Sequence, residues 1–175
     1  GLTIKYTTQK QPKGMGNALL TAKNYIKNDF FVINPNHIDL SEFVPSLVKA
    51  FTPKYQGVLL GSKTKELWKF GVFKLKGAQI LEITEKPKKG KEPSNIRVIG
   101  FYLLSPSFLQ VLAKAPLSKY QFEIALNRLF QKNKVRFLTT QKETFSLKYP
   151  WDLFQIKEFL AKKMKRFVSP KAAIS

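Results

Sequence analysis

A chain of 175 residues with 31 Lys and Arg against 11 Asp and Glu has the length of one ordinary domain and a formal charge of +20. Its 43% apolar residues suffice for a buried core, yet no apolar run reaches the ~18–20 residues that span a bilayer and no signal-peptide pattern opens it, so a cytoplasmic protein without a membrane partner is expected. Zero cysteines exclude disulfides and thiolate metal sites, and a single histidine, His37, argues against a histidine-built metal centre or a Ser-His-Asp triad.

Alternation of β-branched and polar residues predicts a strand over Thr3–Thr7. Gly14-Met15-Gly16-Asn17 then opens a helical pattern that places Ala18, Leu19, Ala22, Tyr25 and Ile26 on one face. Phe30–Ile33 is a continuous apolar run of the kind buried on both sides. Ser41 is positioned to cap a helix bearing Phe43, Val44, Leu47, Val48 and Phe51, with Pro45 tolerated near its start. Four strand-like runs follow at Gln56–Leu60, Phe70–Leu75, Gln79–Glu85 and Arg97–Leu104, the middle two joined by a turn at Lys76-Gly77-Ala78. Beyond them the pattern predicts helices over Ser107–Lys114 and Tyr120–Asn133, a strand over Val135–Thr139, and a last helix from about Pro150 to Phe167. Strands alternating with helices around an antiparallel excursion predict an α/β domain with a mixed sheet.

The net charge would attract polyanions, nucleic acid and nucleoside triphosphates included. Lysine outnumbers arginine and is scattered through every segment, which fits indifferent surface positions better than bidentate readout of bases or phosphates. The cations Lys162, Lys163, Lys165 and Arg166 fall in the last turn of the final helix, where its dipole favours them. Contact with nucleic acid is therefore expected to be non-specific only, although a basic nucleic-acid-binding protein remains an alternative.

Several ordered motifs resemble those of the sugar-1-phosphate nucleotidylyltransferases. The run from Gln9 through Pro12 and Gly14 to Leu19 is similar to that family's Q-x-x-P-x-G-x-(A/G)-x-A-(L/I) segment, where a glycine lets the backbone approach a flat base and a Gln amide offers both donor and acceptor. Asp29–Ile38 resembles its D-F-(L/V)-V-L-N-G-D-x-I strand, Phe70-Gly71-Val72 its Y-G-V strand start, and Ile83-Thr84-Glu85-Lys86-Pro87 its I-x-E-K-P strand end. Ser94–Tyr102 matches S-N-x-x-x-x-G-(I/L/F)-Y, Gln121–Asn127 the segment around a family glutamate, and Tyr149-Pro150-Trp151-Asp152-Leu153 a helix start of the bifunctional branch. The resemblance implies a Rossmann-like nucleotide-diphospho-sugar transferase fold. It also implies that Gln9, Pro12 and Gly14 line a nucleobase pocket, while Gly71, Glu85, Lys86 and Glu123 serve the sugar and its phosphate. Ligands would be a nucleoside triphosphate, a sugar 1-phosphate or a nucleotide-sugar.

Three departures from the pattern bear on activity. The family's first strand and G-x-G-T-R loop have no counterpart after Gly1, so the N-terminal strand-loop-helix is expected to be missing from a partial domain over residues 1–167. The two aspartates that hold Mg²⁺ in the family fall on Asn36 and Ser146, neutral oxygen donors where that ion prefers carboxylates. Glu143 is the one nearby acid that could substitute, and it fits poorly. No catalytic residue is assigned, and the Mg²⁺ expected of the family is doubtful here. The alternative is a non-catalytic nucleotide-sugar-binding or scaffold module of the same fold. Residues 168–175 resemble the entry into a left-handed β-helix, which would make an oligomer possible.

Overall fold

The computed structural model describes residues 3–164. Six strands form one mixed sheet: β1 (Phe30–Ile33), β2 (Gly57–Lys63), β3 (Gly71–Lys76), β4 (Gln79–Glu85), β5 (Ile96–Leu104) and β6 (Val135–Thr140). Their spatial order is β4-β3-β5-β2-β6, with β1 pairing the distal half of β5 on the edge that β3 takes at its start. Only β2 and β6 run parallel, and the remaining pairs are antiparallel. The helices are α1 (Met15–Thr21), α2 (Val44–Ala50), α3 (Ser107–Ala113), α4 (Gln121–Gln131) and α5 (Asp152–Lys163). No helix among the described residues is long and apolar enough to cross a membrane.

Strand periodicity divides the core between the two faces of the sheet, because successive side chains point opposite ways. Leu59, Tyr102 and Leu104 join Phe108, Phe122, Leu126 and Phe130 beneath α3 and α4, with Leu19 and Leu20 of α1 packed against them. Val58, Leu60, Ile99, Phe101 and Leu103 point the other way, to Phe43 and Leu47 of α2. Each buried Leu or Phe contributes on the order of 1.5–3 kcal/mol by leaving water, so this two-sided burial dominates the stability of the sheet. The turn between β3 and β4 bends at Gly77, whose φ of 58° lies in the region that glycine adopts without penalty.

Four expectations need correction. Thr3–Thr7 is not a strand: no neighbour accepts its backbone hydrogen bonds, and Ile4 and Tyr6 are 66% and 86% exposed. β1 pairs with β5 alone, so its residues are half-buried and Ile33 is 41% exposed, not buried on both sides. Ser41 does not cap α2. It lies within a 3-10 turn over Leu40–Glu42, and the helix begins beyond Phe43 with Pro45 in its first turn. The first helix is shorter than its periodicity suggests, and Tyr25 leaves it on an exposed 3-10 turn. The end of the final helix past Met164, its last cations and the β-helix-like tail lie outside the described residues.

Candidate functional site

One end of the sheet gathers the residues of interest. β1, β2 and β6 run toward the start of β5, and the staggered β3–β4 hairpin meets β5 only there, through Val72 and Arg97, so that the start of β3 and the end of β4 lie alongside; open α/β sheets commonly take ligands at the carboxyl ends of their strands. Gly71 pairs with Glu85, and Val72 with Arg97. A Cβ at Gly71 would stand 2.7 Å from Glu85 Oε2, so the glycine is what admits that carboxylate. Lys86 turns the chain with φ at 44° while its N–H donates to the Phe70 carbonyl at 3.0 Å, and buried Pro87 ends the strand. Holding a non-glycine residue left-handed costs roughly 1–2 kcal/mol, and this turn sets where the Lys86 ammonium starts.

Glu123 reaches the same region from the first turn of α4, where the helix dipole favours an anion. Its Oε2 is buried without a hydrogen-bond partner. Burial pushes the Glu123 carboxyl above the usual range and the nearby Glu85 carboxylate adds to the rise, despite its own backbone N–H opposing it. Glu85 counts as exposed over the whole residue, but its carboxylate lies against Gly71, and burial raises it while Lys86 and Lys148 pull it down. Buried Tyr102 sits between them electrostatically: burial, then Glu123, then Glu85 push its phenol well above the ordinary value. Two carboxylates and a phenol kept short of protein partners are suited to accepting and donating hydrogen bonds to hydroxyl groups.

The turn before α1 abuts the start of α4. Gly14 has φ at 93°, and a Cβ there would stand 2.7 Å from the Lys119 carbonyl oxygen. Gly16 is similarly confined by the Phe122 N–H group, at 2.9 Å from its would-be Cβ. The glycines thus have a packing reason that the sequence did not disclose. Gln9 donates from Nε2 to the Gly14 carbonyl at 3.2 Å and to Asn17 Oδ1 at 2.7 Å, so its donor is spent within the chain. Pro12 is exposed. Gly71, Glu85, Lys86 and Glu123 converge; Gln9 and Gly14 form a separate shoulder in front of α4.

Asn36 and Ser146, far apart in sequence, are brought side by side. His37 bridges to Ser146, and the Leu147 N–H donates to the Asn36 carbonyl at 2.8 Å. This loop pair also holds Asp39, which is fully buried, accepts the Phe145 N–H at 2.7 Å and lies 3.5 Å from His37 Nδ1. No group of three or more His, Cys, Asp or Glu side chains among the described residues could hold a metal ion. An amide and a hydroxyl do not make the donor set that Mg²⁺ at a phosphate normally takes.

Sequence reasoning missed two residues that adjoin this place, Arg97 and Lys148. Arg97 donates from Nε to Ser62 Oγ at 3.1 Å and from Nη2 to Thr144 Oγ1, and its guanidinium lies 4.2 Å from the centre of the Phe70 ring. Lys148 Nζ lies 4.0 Å from the centre of the same ring. Burial pushes Lys148 below its ordinary value, and Arg97 and Lys86 push in the same direction against Glu85 and Asp152. Arg97 is lowered by burial, with Asp39 and Glu66 opposing. The available signal was Arg97 itself, one charge in the otherwise apolar β5. An open groove of about 1310 Å³ runs from Arg97 and Thr144 between the ends of β2 and β6 and the side of α5; Glu143, Lys162 and Lys163 line it, but none of the residues given to the base, the sugar or its phosphate does.

Comparison with known proteins follows the same lines. Residues 1–151 match the family model described as nucleotidyl transferase. A bifunctional protein GlmU from Methanococcus maripaludis is 32% identical over 154 residues, covering 86% of this chain and 36% of that protein. A bifunctional protein GlmU from Methanocaldococcus jannaschii is 29% identical over 168 residues, covering 92% of this chain and 38% of its own length. The chain therefore spans less than half the length of these relatives. Among solved structures, a UTP-bound UGPase from Acinetobacter baumannii superposes with a TM-score of 0.72 at 22% identity, over 92% of this chain and 59% of that one, a likeness of fold. The mixed α/β sheet and the match over most of the sequence agree: this chain belongs to the nucleotidyl transferase family.

Proposed function

We propose that this chain is a sugar-1-phosphate nucleotidylyltransferase-like domain that binds a sugar 1-phosphate or a nucleotide-sugar but does not carry out nucleotidyl transfer by itself. The observation that carries the reading is the convergence of Glu85, Lys86 and Glu123 around Gly71, with a buried Glu123 oxygen left without a partner. Carboxylates short of partners accept sugar hydroxyls, and an ammonium beside them balances a phosphate. The Gln9–Gly14 shoulder would take the base, with the Gln9 amide oxygen as the acceptor still available to it.

In the full reaction a sugar phosphate oxygen attacks the α-phosphorus of a nucleoside triphosphate and pyrophosphate leaves. That step develops charge needing stabilisation by cations aimed at the phosphates. Mg²⁺ would supply this in the family, but neutral Asn36 and Ser146 do not fit the ion. These two substitutions favour a binding role over turnover. Ligand-induced thermal shifts with sugar 1-phosphates, nucleotide-sugars and nucleoside triphosphates test the reading, since stabilisation grows with ligand concentration over Kd. A selective, saturable rise with one nucleotide-sugar is expected, and Lys86→Ala is expected to weaken binding by about 1.5–3 kcal/mol through loss of a charge-assisted contact. An equal rise with every polyanion would refute the pocket and leave only attraction to the net charge.

A further inference from the structure

We propose that Arg97 and Lys148, both packed against the Phe70 ring, form a metal-independent seat for the phosphate of the bound sugar ligand. The proposal rests on the sugar-phosphate reading above and adds to it the residues and the mode of phosphate binding.

Their placement is the first argument. Phe70 immediately precedes Gly71, and its carbonyl accepts the Lys86 N–H, so the ring is tied to the Glu85–Lys86 strand end. Thr144, which accepts from Arg97, lies two residues before Ser146, where the chain meets Asn36. The two cationic groups therefore stand between the sugar-facing carboxylates and the loop pair that lacks metal-binding acids.

Their charges are the second argument. With the cationic groups 4.2 and 4.0 Å from one ring centre, they can be no farther apart than about a Debye length, ~8 Å at physiological salt. Among the described residues neither makes an ion pair: the side-chain partners of Arg97 are two neutral hydroxyls, and Lys148 has the ring. Attraction to the ring face steadies each cation, but it does not remove their mutual repulsion. Lys86 adds like charge while Glu85 and Asp152 on Lys148, and Asp39 and Glu66 on Arg97, act against it, and both groups are partly desolvated. A phosphate oxyanion within reach of both converts that repulsion into attraction. Arginine supplies a planar fork and lysine a point charge, which together complement a tetrahedral anion.

Calorimetry on the full chain in EDTA, with inorganic phosphate, pyrophosphate and a hexose 1-phosphate as titrants, separates the possibilities. The hexose 1-phosphate is expected to bind in EDTA, with no gain on adding Mg²⁺ and more tightly than inorganic phosphate. Lys148→Met, at an exposed position, is expected to weaken binding roughly tenfold, and Lys148→Arg to restore most of it. Arg97→Lys keeps the charge but loses the fork, and is expected to weaken binding while the melting temperature reports its structural share. Binding that requires Mg²⁺, or that Lys148→Met leaves unchanged, overturns the phosphate seat while the sugar reading stands. Equal affinity for inorganic phosphate and hexose 1-phosphate, with both lowered by Lys148→Met, overturns the sugar reading while the seat stands. No binding of any titrant overturns both.

Discussion

Gly71→Ala separates binding from stability. Its Cβ would stand 2.7 Å from Glu85 Oε2, 3.2 Å from Ile83 Cγ2 and 3.3 Å from Val98 Cγ2. Ordinary van der Waals contact begins near 3.4 Å, so the two methyl groups need yield only a tenth or two of an ångström. The carboxylate must withdraw by far more, and it can, because it is the far end of a flexible side chain. The stability cost then falls at the low end of overpacking, about 1 kcal/mol. The binding cost is larger: a carboxylate moved out of place loses a charge-assisted hydrogen bond to a sugar hydroxyl, about 1.5–3 kcal/mol, or roughly 10- to 150-fold in Kd. Chemical denaturation and calorimetry with a sugar 1-phosphate measure the two quantities on the same preparation. Unchanged affinity would refute the role given to Glu85. A stability loss larger than the binding loss would show that Gly71 serves packing instead.

Gly14→Ala should do the reverse, losing on the order of 3 kcal/mol in urea denaturation, because it combines a glycine-only backbone conformation with a clash against the Lys119 carbonyl. Glu123→Gln should stabilise the free protein at neutral pH. A carboxyl raised by burial contributes stability that is present at low pH and lost as pH rises through its folded value, so the advantage of Gln should shrink on acidification toward the ordinary glutamate range, read from melting temperature against pH. Asn36→Asp combined with Ser146→Asp should introduce a Mg²⁺-dependent rise in melting temperature that the parent chain lacks, since the backbone already holds the two positions side by side. A parent chain that responds to Mg²⁺ as strongly as the double variant would contradict the assignment.

The fold was legible where pattern and burial coincide. The observed boundaries of Gln79–Glu85 match the pattern, and the strands β2, β3, β5 and β6 lie within a few residues of it, because a core on each face makes β2 and β5 near-continuous apolar runs. Thr3–Thr7 failed for the complementary reason. Its alternation is a local property, whereas a strand needs a neighbour for its hydrogen bonds, and no alternation reports whether one is there. Ser41 failed because three residues of 3-10 turn intervene before α2, and cap preference does not register that offset.

The candidate site was legible as motifs but not as electrostatics. Glu85-Lys86-Pro87 marks its own position in the sequence, and the proximity of Asn36 to Ser146 follows from placing both on motif positions before any contact is seen. Arg97 and Lys148 were invisible by that route: neither is a motif position, and 31 basic residues hide any two of them. What distinguishes this pair is the Phe70 ring they share and, among the described residues, the lack of an ion pair to either, and both are properties of three segments brought together. The same logic bears on the net charge. A cation scattered over the surface contributes little and is screened by salt, whereas one partly desolvated beside another cation is screened less. Phosphate binding that persists in raised salt, lost in Lys148→Met but not in Lys10→Met on the exposed segment before α1, would therefore mark the built site apart from the general field.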